Sequence, residues 1–246
     1  MGKPTVKAIF CDMGNVAVWW FNNRTERLWQ LAHLANPEEF PAGPAPQPIT
    51  QQPFFIALQK EGVLDFSRQG EDVAWKLDTD LVGQSELYGA FLEAARPEQL
   101  FSAERFWMAY AADLMAIEPV CELLKELQQR GTTLIAATNT ESWPADIVWR
   151  QTGLQFDGVV MSWKVGHKKP ERGFFSACLL TARRVLHDDS LECAGCLLID
   201  DIRAYCDAFK GIGGDAIQFK ASQEPQTLAW QVTQLRNQLR ERDLLK

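Results

Sequence analysis

Three stretches of this chain place acids and hydroxyls at the ends of apolar runs. The first is Ala8-Ile9-Phe10-Cys11-Asp12, followed at once by Met13-Gly14-Asn15. The second is Thr133-Leu134-Ile135-Ala136-Ala137, ending in Thr138-Asn139, and the third is Cys196-Leu197-Leu198-Ile199, ending in Asp200-Asp201. A fourth stretch, 162–170, brings Lys169 directly before Pro170, a residue suited to the start of a helix. A carboxylate where a buried strand opens into a loop can attack an electrophile, hold a cation, or do both. Three acids offer the hard oxygens that Mg²⁺ takes, while the Thr138 hydroxyl, loop amides and the Lys169 ammonium suit phosphate oxygens. These residue types together describe a place for a phosphate beside a hard cation. Asp12 by itself says less, because many strands end in Asp only to cap the next turn.

For such groups to meet, the fold must bring the ends of distant strands together. Short apolar runs bounded by turn residues read as strands buried on both faces of a parallel sheet. Strands are expected at 8–11, 133–137, 156–161, 196–199 and 216–219. Helices are expected at 119–129, stopped by Arg130-Gly131, then at 143–152, 170–186, up to 210, and 223–245. Strands alternating with helices specify an α/β protein: a Rossmann-like, three-layer α/β/α core whose loops converge in one crevice at the carboxyl ends of the strands.

Between the first two strands the rhythm differs. An apolar cluster, Ala17-Val18-Trp19-Trp20-Phe21, precedes a helix at 23–35, and prolines then recur at 37, 41, 44, 46, 48 and 53. Repeated prolines forbid helix and central strand, so this segment reads as a structural loop. Apolar residues at helical spacing follow at 55–61, 66–75, 85–95 and 102–115, with no strand pattern. The expected organisation is a discontinuous core of residues 1–17 and 118–246, with residues 18–117 inserted as an all-helical cap.

The 246 residues are 46% hydrophobic, which supports a sizeable core, and the net charge of -7 provides no basic footprint for nucleic acid. No secretory signal or membrane-length apolar run is present, so no membrane partner is expected and the cytoplasm is the expected location. Six scattered cysteines read as reduced thiols; Cys193 and Cys196 have redox or zinc spacing but lack a partner pair.

Taken in order, Asp12-x-Gly14-Asn15-Val16, Thr138-Asn139, Ser162-x-x-x-Gly166-x-x-Lys169-Pro170 and Ile199-Asp200-Asp201 resemble the motifs of the haloacid-dehalogenase-like (HAD) hydrolase superfamily. The resemblance implies a helical cap of the first type inserted after motif one, and the subgroup that includes sugar-phosphate phosphatases is the nearest in pattern. The resemblance implies a Mg²⁺-dependent phosphatase of small phosphorylated metabolites. It implies Asp12 as nucleophile, forming an aspartyl-phosphate, and Thr138, Lys169 and, through its backbone amide, Asn139 as phosphate-binding groups, with Thr138 and Lys169 also serving catalysis. Metal ligands would be Asp12, the Gly14 backbone carbonyl and Asp201, with Asp200 acting through a water. Two alternatives share the scaffold: a dehalogenase using Asp12 on carbon, and a non-catalytic binding protein.

The pattern has departures. Gly14 stands where the superfamily's phosphatases usually carry a second Asp as general acid, help worth ~10²–10⁴-fold. Tyr205 stands where Asn or Gly is common. Asp78-Thr79-Asp80-Leu81-Val82 imitates the first motif but lacks a strand before it, so it reads as solvated surface. His33, His167 and His187 share no metal-ligand spacing.

Overall fold

The structure is a computed structural model that describes residues 5–19, 24–61, 64–65, 74–75, 84–110, 112, 114–139 and 152–245. In chain order, β1 (Ala8–Cys11) leads through a tight loop to β2 (Val18–Trp19). Next come α1 (Arg24–Ala35), α2 (Pro53–Lys60), β3 (Leu64–Asp65), β4 (Ala74–Trp75), α3 (Gln84–Ala95), α4 (Ala103–Tyr110) and β5 (Met115–Ala116). The remainder runs α5 (Glu118–Gln129), β6 (Thr133–Thr138), β7 (Gly158–Met161), α6 (Ser162–Val165), α7 (Arg172–Leu186), β8 (Cys196–Asp200), α8 (Arg203–Gly211), β9 (Asp215–Gln218) and α9 (Pro225–Arg240).

Five strands form one parallel sheet in the order β7-β6-β1-β8-β9. Alternate side chains of the strands serve opposite faces. Ile9, Cys11, Leu134, Ala136, Leu197 and Ile199 point into a core shared with Leu123 and Leu127 of α5 and Leu235 and Leu239 of α9. Ala8, Phe10, Ile135, Ala137 and Leu198 face Phe174, Phe175 and Cys178 of α7 and Cys206 and Phe209 of α8. Phe10 meets Phe209 edge-on at 5.6 Å, and burying such a ring stabilises by about 1.5–3 kcal/mol. Helices thus cover both faces of the sheet, giving the three layers expected. At Gly158 the packing is close: a Cβ there would stand 2.6 Å from Thr181 Cγ2 and 2.8 Å from Ile135 Cδ1, so those side chains would have to shift.

After β1 the chain doubles back. The N–H groups of Ala17 and Val18 both donate to the Met13 carbonyl, and Asn15 takes φ 56°, a left-handed conformation that asparagine tolerates. β2 then pairs antiparallel with β5, Val18 beside Ala116 and Trp19 beside Met115. The Ile117 N–H donates to the Ala17 carbonyl at 2.9 Å, so the chain returns to the sheet beside the point where it left. Between these strands, α1 to α4 enclose an aromatic cluster in which Phe54 contacts Phe40, Phe55 and Phe91.

Several expectations are refined. The segment between β2 and β5 is not purely helical: Leu64 and Asp65 pair with Trp75 and Ala74, and β2 and β5 were likewise not foreseen as strands. Two-residue strands are too short to show a period, which is why the sequence concealed them. The helix expected at 66–75 ends in β4, and its residues 66–73 lie outside the described residues. So do Trp20, Phe21, the acids at 78 and 80, and most of the helix expected at 143–152. Residues 162–165 form one helical turn rather than loop, closed by Gly166 at φ 69°. α7 begins at Arg172 rather than Pro170, because Glu171 is extended (ψ 137°) and serves as N-cap. α9 is shorter at both ends; at its start the Glu224 carboxylate caps the N–H groups of Gln226 and Thr227. Among the described residues no helix is long and apolar enough to cross a membrane.

Candidate active site

The parallel register sets the site. Cys11 lies level with Ala136 on one side and Ile199 on the other. Asp12, one step on, therefore emerges beside the ends of β6 and β8, and its N–H donates to the Ile199 carbonyl at 2.9 Å. Asp200 closes β8 and Asp201 follows it, while Thr138 closes β6 and is buried. Lys169 reaches this edge from the segment between α6 and α7.

The Lys169 ammonium is wedged between two carboxylates, 2.8 Å from Asp12 Oδ1 and 2.6 Å from Asp200 Oδ2. Its side chain is 1% exposed and that of Asp200 is fully enclosed, whereas the Asp12 side chain keeps 12% of its surface open. The second Asp200 oxygen accepts the Ile202 N–H at 2.9 Å, so Asp200 has a protein partner at each oxygen. Asp201 is less enclosed, and its Oδ2 accepts from the Asn15 side chain at 3.3 Å. Carboxylate oxygens of Asp12, Asp200 and Asp201 lie within 4.8 Å of one another.

Charge explains the shifts of these groups. Burial alone would weaken the Lys169 ammonium, but Asp12 and Asp200 outweigh it and hold the lysine protonated beyond its usual range. Burial drives the Asp200 carboxyl upward, with Asp12 adding to the rise and Lys169 opposing it. Asp201 is raised by burial and by the Asp12 charge. Cys11, beside Asp12 in sequence, is fully buried with its thiol pushed well up, so it is no rival nucleophile. Three carboxylates against one ammonium leave a formal charge of two minus in a largely enclosed space. That excess, carried by hard oxygens, matches a divalent cation such as Mg²⁺.

The sequence singled out Asp12, Lys169, Asp200 and Asp201, and the fold brings all four together. Thr138 ends its strand at the same edge, and Gly14 lies in the loop after Asp12, bridging to Val18. Three contributions were missed. Asn139, expected to act through its backbone amide, uses its side chain to grip Lys169: Oδ1 accepts the Lys169 N–H at 2.8 Å and Nδ2 donates to the Lys169 carbonyl at 3.1 Å. Asn15, legible only as half of a Gly-Asn turn, braces Asp201. Tyr205, noted only as a departure, lies against Lys169. His167 sits apart, paired with Glu171 at 3.0 Å with half of its side chain exposed.

No protein-family model matches the chain, and no curated protein matches it either. Solved structures do. A HAD-family enzyme, bt-2542, from Bacteroides thetaiotaomicron superposes with a TM-score of 0.55 at 18% identity, covering 92% of this chain and 98% of that one. The fold is that of the HAD-family enzymes. The HAD-type architecture is also shared with a HAD phosphatase from Thermococcus onnurineus (TM-score 0.56, 16% identity, 89% of this chain and 88% of that one). A 2-haloacid dehalogenase from Pseudomonas syringae pv. Tomato DC3000 is as similar (TM-score 0.56, 14% identity, 87% and 86%). The bt-2542 enzyme has also been crystallised with magnesium and inorganic phosphate, in a structure matching at a TM-score of 0.53 and 17% identity over 91% of this chain and 99% of that one. Proteins named as a phosphatase and as a dehalogenase share this fold, so the fold by itself does not choose between the two.

Proposed function

We propose that this chain is a HAD-superfamily hydrolase of the sugar-phosphate-phosphatase-like subgroup, a Mg²⁺-dependent phosphatase of small phosphorylated metabolites. The observation that carries the reading is the Lys169 ammonium wedged between Asp12 and Asp200, with Asp201 completing the acid cluster. An ammonium and a cation site beside a partly open carboxylate suit a phosphoryl group, whose negative oxygens need neutralising before an anion can approach. The phosphate and magnesium bound to the bt-2542 enzyme on the same fold support that choice.

In this reading an Asp12 oxygen attacks phosphorus. The new Asp12–phosphate bond forms as the bond to the leaving oxygen breaks, and water later releases phosphate and restores Asp12. Lys169 and Thr138 hold the phosphoryl oxygens, and Asn139 assists through its backbone amide. Asp12, the Gly14 carbonyl and Asp201, with Asp200 through a water, would hold Mg²⁺, which when bound would supply charge neutralisation. Gly14 has no side chain to protonate the leaving oxygen, so that proton is drawn from water, the substrate or the inserted segment. We propose residues 18–117 as a type-1 cap that chooses the substrate, over a core of 1–17 and 118–246. The dehalogenase on the same fold keeps the carbon-directed reaction as the alternative.

The test is hydrolysis of a chromogenic aryl phosphate with and without Mg²⁺, comparing wild type with Asp12→Asn. Mg²⁺-dependent turnover that disappears in Asp12→Asn is expected. Turnover surviving that substitution removes Asp12 from its role, and halide release from a 2-haloacid without metal revives the alternative. A panel of phosphorylated metabolites then identifies the substrate.

A further inference from the structure

Two carboxylates set how far the Lys169 ammonium stands from each of them, but not where it lies around the line that joins them. A lysine chain is flexible and its three donors rotate, so further contacts must aim it. The backbone is aimed by Asn139, which holds residue 169 at both its N–H and its carbonyl. The ammonium meets the face of Tyr205, 5.4 Å from the ring centroid, within the range of a cation–π contact. The Tyr205 hydroxyl also accepts from Asn139 Nδ2 at 3.4 Å. One side chain therefore touches both the charged end of Lys169 and the amide that grips its backbone.

The placement of Tyr205 follows from the chain beside it. Asp200 accepts the Ile202 N–H, and the Tyr205 N–H donates to the Ile202 carbonyl at 3.0 Å, starting α8 immediately after the paired acids. Cys206 and Phe209 of that helix are buried under the sheet, while Tyr205 is half-buried on the Lys169 side. The stretch that delivers Asp200 thus delivers the ring as well.

We propose that Tyr205 is the positioning residue of Lys169, its ring fixing where the ammonium stands and its hydroxyl steadying Asn139. The consequence for turnover rests on the phosphatase reading; the placement itself does not. A side chain that merely fills space behind the site could be replaced by another of similar bulk, whereas a positioning ring cannot.

The experiment compares wild type, Tyr205→Phe, Tyr205→Leu, Asn139→Ala and the Tyr205→Phe/Asn139→Ala double variant. Kinetics on the aryl phosphate with Mg²⁺ are measured beside thermal melting. Tyr205→Leu is expected to lower kcat roughly tenfold to thirtyfold with a smaller change in KM, the size of a desolvated cation–π contact. Tyr205→Phe, which keeps the ring, is expected to restore most of that loss. The deficit left in Tyr205→Phe should vanish in the Asn139→Ala background, because the hydroxyl acts through that amide. Independently of turnover, the side-chain NMR signals of isotopically labelled Lys169 should be displaced by the ring current of residue 205 in wild type and Tyr205→Phe and should move toward ordinary lysine positions in Tyr205→Leu. Equal kcat in the Leu and Phe variants, or identical Lys169 side-chain signals in both, overturns the proposal. If Tyr205→Leu does not fold, strictly additive effects of Tyr205→Phe and Asn139→Ala overturn it instead. A wild type inactive on every phosphate defeats the phosphatase reading, and the comparison of Lys169 signals then decides Tyr205 alone.

Discussion

Lys169 donates to Asp200 at 2.6 Å with both side chains sealed from water, and the same ammonium faces Asp12. A buried ion pair adds little net stability compared with an apolar pair, but removing one partner strands the other, at a cost of about 3–5 kcal/mol. Here three carboxylates would be left facing one another. Lys169→Met is therefore expected to lower the unfolding free energy by about 3 kcal/mol in metal-free buffer. Asp200→Asn should cost less, since an amide oxygen can still accept and the ammonium keeps Asp12. Urea denaturation of the three proteins checks the order, and equal midpoints would mean the pair does not form in solution.

The acid cluster makes a separate prediction about metal. Asp201 is raised by burial and by the neighbouring Asp12 charge, so the metal-free site carries repulsion that a cation relieves. On the proposed reading, Mg²⁺ at about a hundredfold excess over its Kd stabilises the fold by about 2.7 kcal/mol. Asp201→Asn removes one repelling charge while leaving an oxygen that can accept from Asn15. Its metal-free melting temperature should match or exceed that of wild type, and its Mg²⁺-induced rise should be largely lost. Thermal melts with EDTA and then with Mg²⁺ read both effects, and an undiminished rise in Asp201→Asn excludes Asp201 as a ligand.

A third prediction lies away from the site. Lys7, just before β1, pairs with Asp188 after α7 at 2.8 Å, and the Ser190 hydroxyl donates to the same carboxylate at 2.6 Å. The Lys7 hydrogen bond first, then that of Ser190, holds the Asp188 carboxyl down to about 2. A carboxyl depressed in the folded state binds fewer protons there than in the unfolded chain. Its stabilisation is therefore complete above the unfolded value of about 4 and is lost as pH falls toward 2. Lys7→Ala should melt below wild type at pH 6, with the gap closing between pH 4 and 2. A gap independent of pH would show that this carboxylate is not held by Lys7.

What the sequence determined by itself was the layered α/β architecture and the four chemical groups at its edge. Buried strands declare themselves through continuous apolar runs, and Asp12, Thr138 and Asp200 through their positions at the ends of those runs. These are local signals, carried within a few residues. The strands β2 to β5 escaped because two residues cannot display a period. The aiming of the site escaped for another reason. Asn139 and Lys169 are 30 residues apart, Asn139 and Tyr205 are 66 apart, and Asn15 and Asp201 are 186 apart. Nothing in the residues near Asn139 says that its side chain will grip a lysine, and Tyr205 is legible only as a departure from the family pattern. Only the parallel register, which aligns β1 with β6 and β8 and gathers their ends at one edge, decided which side chains touch. Side-chain direction follows from packing against distant chain, and packing is a property of the folded whole.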